Sequence, residues 1–242
     1  MRNDGRLAFD IETIDAPIPD GVDFDLQNSE HVELFCVCVA YQEARSEPPQ
    51  HEVILRSGRD ADAELDVIEQ TVDWLEGWPT ETVLTFNGDT FDFPHLIGRA
   101  NIAAEALGDR FDVVEKTAAF VDRVESDDLR PEGVEAFEDD YLSFERACDH
   151  VDVDVTRTSF DEYDIGIDVV AERPTSKGAG PHLMGCDVPI IGERYLNLQA
   201  VGATDLPQFK AMQAALEHYA TTDVIPLFEL ADRRPFADAT PV

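Results

Sequence analysis

Leu7-Ala-Phe-Asp-Ile-Glu-Thr13 is an apolar run that closes on two acids. Leu7 to Ile11 suits a β-strand, and side chains two apart on a strand share a face. Asp10 and Glu12 are therefore expected side by side. Neighbouring carboxylates repel unless a cation lies between them or water surrounds them, so this is either a metal-binding pair or a solvated strand end.

Working outward, Asp15 to Glu30 reads as an acidic loop, and Leu34 to Tyr41 (LFCVCVAY) as a buried strand. Glu52 to Leu55 is its expected hairpin partner, across a loop holding Pro48 and Pro49. Leu65, Ile68, Val72 and Leu75 recur at helical spacing and predict a helix from Ala61 to Trp74, ended by Gly77 and Pro79. Thr82 to Phe86 reads as a strand and Asn87-Gly88 as a turn. Pro94 stands near the start of a helix that runs to about Ala106. Val113 and Val114 are expected to open a fifth strand. Strands alternating with helices after an antiparallel opening set predict an α/β fold, a mixed sheet of about five strands flanked by helices.

Beyond Val121 the pattern weakens. Leu142 to Val151 suits a helix. Thr156 to Pro207 is polar and punctuated, with SKGAGP at Ser176 to Pro181, too long for a simple connection. An irregular lid or insertion is expected over residues 121–207 of one domain spanning residues 1–242. Pro207 to Arg234 reads as a last helix, kinked or split near Thr222 to Ile225 because Pro226 lacks an N–H.

The chain carries 52 acidic and 18 basic residues, a net charge of −34, and only Lys116, Lys177 and Lys210 are lysines. The acids are spread between apolar residues, as on proteins of extreme halophiles. In molar salt the Debye length falls to about 3 Å, so self-repulsion is screened. The same screening lets an acidic chain approach a polynucleotide. Cys36, Cys38, Cys148 and Cys186 form no CxxC pair and read as small core residues rather than zinc ligands. No stretch has the length of a membrane span, and MRNDGRLAFDIET has no signal-peptide apolar region, so a soluble, cytoplasmic protein with no membrane partner is expected.

Two further groups of residues join the strand acids. In Asn87 to Leu96 (NGDTFDFPHL), Asp92 lies between Phe91 and Phe93, where an unpaired carboxylate is costly; a helix N-cap also suits it. Tyr219 and Asp223 are four apart and share a helix face, as would a core tyrosine beside a surface acid.

Taken together, Asp10-Ile11-Glu12-Thr13, then Asn87 with Phe91-Asp92 and Pro94, then Tyr219 and Asp223, resemble the three motifs of the DEDD exonucleases in the subtype with tyrosine. The similarity is to the proofreading domain of family B DNA polymerases and its stand-alone relatives. It is spread over most of the chain, with little aligned between Val121 and Pro207. The resemblance implies a ribonuclease H-like fold and a 3′-to-5′ exonuclease that releases nucleoside 5′-monophosphates from single-stranded nucleic acid, DNA or RNA. It implies Asp10, Glu12, Asp92 and Asp223 as ligands of two divalent cations, Mg²⁺ or Mn²⁺, and Tyr219 as the residue that orients the attacking water. Asn87, Phe91 and Thr13 are the implied substrate contacts; His95 and Arg99, on the same helix as Asp92, are candidates for a phosphate. With no palm or fingers region after Arg234, a stand-alone form is expected, with replication or repair proteins as partners. A silent nucleic-acid-binding module and an RNA 3′-end trimmer are the rival readings.

Overall fold

The computed structural model describes residues 5–174 and 180–236. Five strands form one mixed sheet: β1 (Arg6–Asp15), β2 (Val32–Gln42), β3 (Gln50–Leu55), β4 (Thr82–Thr85) and β5 (Glu125–Asp128), in the order β3-β2-β1-β4-β5. β1 is central. It pairs antiparallel with β2 and parallel with β4, and β4 pairs parallel with β5.

Among the described residues eight α-helices accompany the sheet: α1 (Ala61–Glu76), α2 (Asp92–Leu107), α3 (Phe111–Arg123), α4 (Leu129–Phe137), α5 (Phe144–His150), α6 (Val169–Glu172), α7 (Val188–Ala200) and α8 (Pro207–Asp232). Alternation along β1 splits the core in two. Leu7, Phe9 and Ile11 pack with residues of α1, α2 and α3. Ala8 and Ile14 face the opposite way, toward α7 and α8. Asp10 and Glu12 share that second face by the same alternation.

Small side chains line the second face. In register, Cys38 stands opposite Asp10 and Cys36 opposite Glu12, with Ala40 opposite Ala8. All are buried, and no cysteine is disulfide-bonded. Burial pushes the Cys36 thiol well up, so it stays protonated. These residues let α8 lie close over the acids, which agrees with the core reading for Cys36 and Cys38; Cys148 is buried as well, whereas Cys186 is only half-buried.

Three expectations are corrected. Val113 and Val114 lie in α3, where Val113, Thr117 and Phe120 are buried at helical spacing. The fifth strand is instead the polar Glu125–Asp128, an edge strand made by its pairing to β4. Within the stretch expected to be irregular, Val188–Ala200 is a helix. Pro189 sits in its first turn, where no N–H is needed, and Gly192 allows close approach to the sheet. A Cβ at Gly192 would come within 2.9 Å of Ile14 Cγ2 and 3.4 Å of the Phe35 ring. Finally, of the kink or split expected at Pro226, the split does not occur: α8 is one continuous helix through it. Of the SKGAGP segment, residues 176–179 lie outside the described residues. Among the described residues no helix is long and apolar enough to cross a membrane.

On the α1–α2 side, a buried ion pair fastens the acidic loop. Arg99 Nε and Nη2 donate to Glu64 at 2.7 and 2.8 Å, and Nη1 donates to Ser29 O at 2.8 Å. Glu64 also accepts the Leu34 amide and lies 3.8 Å from Arg56. Removing one partner of a buried pair strands the other charge, so Arg99→Leu should lower unfolding stability by about 3 kcal/mol in denaturant titrations. A loss below about 1 kcal/mol would show that Arg56 alone satisfies Glu64.

Candidate metal centre

α8 runs antiparallel to β1, and an ion pair at one end sets their register. Arg6, the first residue of β1, donates to Asp232 at 2.7 Å and to Phe228 O at 3.3 Å. Asp10 is four residues along the strand from Arg6, about 13 Å at strand rise. Asp223 is nine residues back along the helix from Asp232, again about 13 Å at helical rise. The two travel equal distances from the same anchor and so meet.

Ligand oxygens of Asp10, Glu12 and Asp223 all lie within 4.8 Å of one another, a group that could hold a metal ion. Two acids come from one strand face and the third from the helix over it. A register shift between Glu12 and Thr13 marks a bulge at the end of the pair, and Thr13 is half-buried just past it.

Asp92 approaches from the neighbouring strand. β4 pairs with β1 at Leu7 and Ala8, and beyond it the chain turns into α2. There the Ile11 amide donates to Asp92 Oδ1 at 3.0 Å. Asp92 thus takes the place of a ladder partner between Asp10 and Glu12. It is buried, lies outside the three-carboxylate group, and raises the proton affinity of both strand acids.

The electrostatics point one way. Asp10 is pushed well above the usual carboxylate range by burial, then by Asp92, Glu12 and Asp223. Glu12 is pushed well up by burial, then by Asp223 and Asp92. Asp223 rises to about 7 through burial and then Glu145, with the Tyr219 hydroxyl's hydrogen bond pulling back. Asp92 also rises to about 7, chiefly through burial, against the lowering effect of the Ile11 amide. Tyr219 is held well above 10 by burial and the adjacent acids, so its phenol keeps its proton. Among the described residues no cation side chain enters this group. Oxygen donors of this kind suit hard divalent ions such as Mg²⁺ or Mn²⁺.

The implied substrate contacts are placed as follows. Asn87 adopts a left-handed φ of 78°, a conformation that Asn tolerates, and its Oδ1 accepts from Thr90 Oγ1 at 2.7 Å. Phe91 is half-buried and meets the His95 ring edge to face at 4.5 Å. His95 and Arg99 are corrected as phosphate candidates. His95 Nε2 donates to Leu26 O at 2.9 Å and Nδ1 accepts from Ser29 Oγ at 2.8 Å, while Arg99 is bound to Glu64. Both are buried because the acidic loop folds over them.

Asp128 and Glu145 had no signal in so acidic a sequence. Asp128 accepts the amides of Asn87 at 2.7 Å, Asp89 at 3.2 Å and Arg130 at 3.1 Å, which shapes the turn leading to Asp92. Glu145, on α5, adds negative charge next to Asp223.

The α/β architecture, a five-stranded mixed sheet flanked by helices, is consistent with a ribonuclease H-like fold. It is similar to a solved structure of the family B DNA polymerase from the hyperthermophilic archaeon Pyrobaculum calidifontis, with a TM-score of 0.52 and 20% identity. The match covers 95% of this chain and 24% of the polymerase, so the chain spans about a quarter of that protein's length. No protein-family model matches the chain, and no curated protein matches it.

The raised carboxyl groups set a sign for the pH dependence. Folded, Asp92 and Asp223 hold their protons up to about 7, whereas unfolded carboxyls lose them near 4. Between those values the native state binds more protons, so metal-free protein should lose stability as pH rises from about 4 to about 7, on the order of 1 kcal/mol per pH unit. Saturating Mn²⁺ should reverse most of the loss by binding the native state alone. Thermal melts with and without chelator across that range check this; identical curves would remove the metal site.

Proposed function

We propose that this chain is a metal-dependent 3′-to-5′ exonuclease that hydrolyses single-stranded nucleic acid, DNA foremost, and releases nucleoside 5′-monophosphates. The observation that carries the reading is the meeting of Asp10, Glu12 and Asp223 within 4.8 Å, with Tyr219 hydrogen-bonded to Asp223 and Asp92 bound to the strand between the first two. The fold's likeness to a DNA polymerase is in keeping with a nucleic-acid substrate.

Asp10, Glu12 and Asp223 would hold the metal, with Asp92 completing the ligand set for a pair of ions. Bound divalent ions would offset the carboxylate charge and supply Lewis acidity at the phosphodiester. The protein's own groups do the rest. Water attacks phosphorus as the P–O3′ bond breaks, and the 3′ oxygen leaves with a proton. Tyr219, neutral beside Asp223, orients that water by a hydrogen bond rather than by giving up its proton. The Ile11–Asp92 bond keeps the second motif in register with the first. Asn87, Phe91 and Thr13 border the substrate's terminal nucleotides in this reading. The acidic surface suits work at molar salt, and replication or repair proteins are the partners that the polymerase likeness suggests.

The test is release of mononucleotides from labelled single strands of DNA and RNA at molar KCl with Mn²⁺. Asp10→Ala and Asp223→Asn should each lower the rate by about a thousandfold or more, and Tyr219→Phe by about ten- to a hundredfold. A covalently closed circle should stay intact. Unchanged release by Asp10→Ala would end the assignment.

A further inference from the structure

Asp223, the helix acid of the candidate metal centre, borders a cleft of about 330 Å³ that Tyr219, Arg146, Arg157, Thr158 and His182 also line. Its far wall is a lip of two chain segments. Ser159 and His182 form an antiparallel bridge; the Leu183 amide donates to Thr158 O at 2.8 Å, and the Phe160 amide to Pro181 O at 2.9 Å. Arg173 locks the lip from behind. It donates to both oxygens of the buried Asp187 at 2.6 Å, to Gly180 O at 2.7 Å and to His182 O at 2.5 Å.

Arg157 stands on this lip, exposed, and its situation is unusual for this chain. With 52 acids against 18 bases, arginines are readily neutralised. Among the described residues every other arginine has an ion pair or a hydrogen bond, Arg146 included, which pairs with Asp139 at 2.8 Å. Arg157 alone has neither among the described residues, although Glu145 and Asp149 line the same cleft. Two neighbours on the lip also have unused hydrogen-bonding capacity. The Thr158 hydroxyl, on a residue 2% exposed, and His182 Nδ1 are buried without a partner among the described residues.

We infer that this cleft seats the nucleic-acid strand upstream of the scissile bond, with Arg157 binding a phosphodiester oxygen of that strand. The inference rests on the exonuclease reading and adds the direction from which substrate enters. A strand whose terminal phosphate lies at Asp10, Glu12 and Asp223 has its next phosphate one nucleotide further along, on whichever side is open. The cleft beside Tyr219 and Asp223 is such an opening, and among the described residues Arg157 is its free cation. Glu145 and Asp149 line the same cleft and repel a phosphate, so the strand is held toward the lip and away from α5. A guanidinium that binds backbone oxygens does not read bases, so the contact is independent of sequence.

Binding of fluorescein-labelled single-stranded decamers, measured by anisotropy with Ca²⁺ in place of Mn²⁺, tests this. Arg157→Ala should weaken binding about tenfold for homopolymer and mixed sequence alike, and should reduce the slope of log K against log salt by about 0.7. Arg157→Lys keeps the charge and should hold the slope. Equal affinity and equal slope in Arg157→Ala and wild type would overturn the proposal, as would loss confined to one base sequence. Failure of the exonuclease reading is seen separately, in the wild type with Mn²⁺. Strand binding that depends on Arg157 without mononucleotide release would keep the docking role and remove the nuclease. Release with binding indifferent to Arg157 would do the reverse.

Discussion

Repulsion among Asp10, Glu12 and Asp223 is the constraint around which this molecule is built. Free carboxylates a few ångströms apart and shielded from water would separate or take up protons. Here the scaffold prevents separation. β1 is the central strand, held on both sides, so two of the acids cannot move. The third rides on α8, a helix of 26 residues with its far end tied to β1 through Arg6 and Asp232. Arg234, just past the helix, binds Asp127 of the edge strand through both oxygens. Two arginine–aspartate pairs thus pin the tail of α8 while its middle carries the repulsion. Strain of this kind is held by packing elsewhere, here by Ala8, Cys36, Cys38 and Ala40 beneath Ala215, Leu216 and Ala220.

Much of the architecture was legible because it follows from periodicity. β2, α1 and α2 carry apolar spacing that needs no tertiary context, and the fate of Asp10 and Glu12 follows from strand alternation alone. Geometry adds contacts that the sequence could not show. Asp92 opens α2 with one oxygen on a strand amide, rather than capping the helix from outside. Tyr219 is both partly buried and bonded to an acid. What stayed hidden has a common cause. β5 reads Glu-Ser-Asp-Asp and exists only because β4 supplies its ladder; nothing in those four residues prefers a strand. In α7, Pro189 and Gly192 look like breaks until their positions are known, one in the first turn and one against the sheet. Asp128 and Glu145 were lost among dozens of acids, since composition removes the contrast by which a functional carboxylate is noticed.

The same composition creates a problem for any polyanionic substrate. A chain with net charge −34 repels phosphate, and salt screens that repulsion without supplying attraction. Attraction must come from a few cations placed where they matter. Most arginines are unavailable for that purpose: Arg56 and Arg99 compensate Glu33 and Glu64 in the interior, Arg110 gathers Asp62, Asp66 and Glu69, and Arg173 holds Asp187. These pairs fix loops and helix ends against one another. Among the described residues they leave the cluster of Asp10, Glu12 and Asp223 without a basic side chain, so a cation there would have to be brought in as an ion.

This division of labour explains why the lip is built as it is. Residues 157–160 and 180–183 are joined to each other by a single antiparallel bridge and its backbone hydrogen bonds, with no wider sheet to support them. A guanidinium braces that bridge, joining a buried carboxylate and two carbonyls from behind while stacking 5.3 Å from the Phe160 ring. With Arg173 committed inward, the outward face of the lip needs no acid to balance it. A cation there can remain unpaired in a protein that otherwise neutralises its arginines. The irregular stretch is therefore shaped by charge placement where periodicity is absent, and that is why its order could be seen only once Arg173 and Asp187 were found side by side.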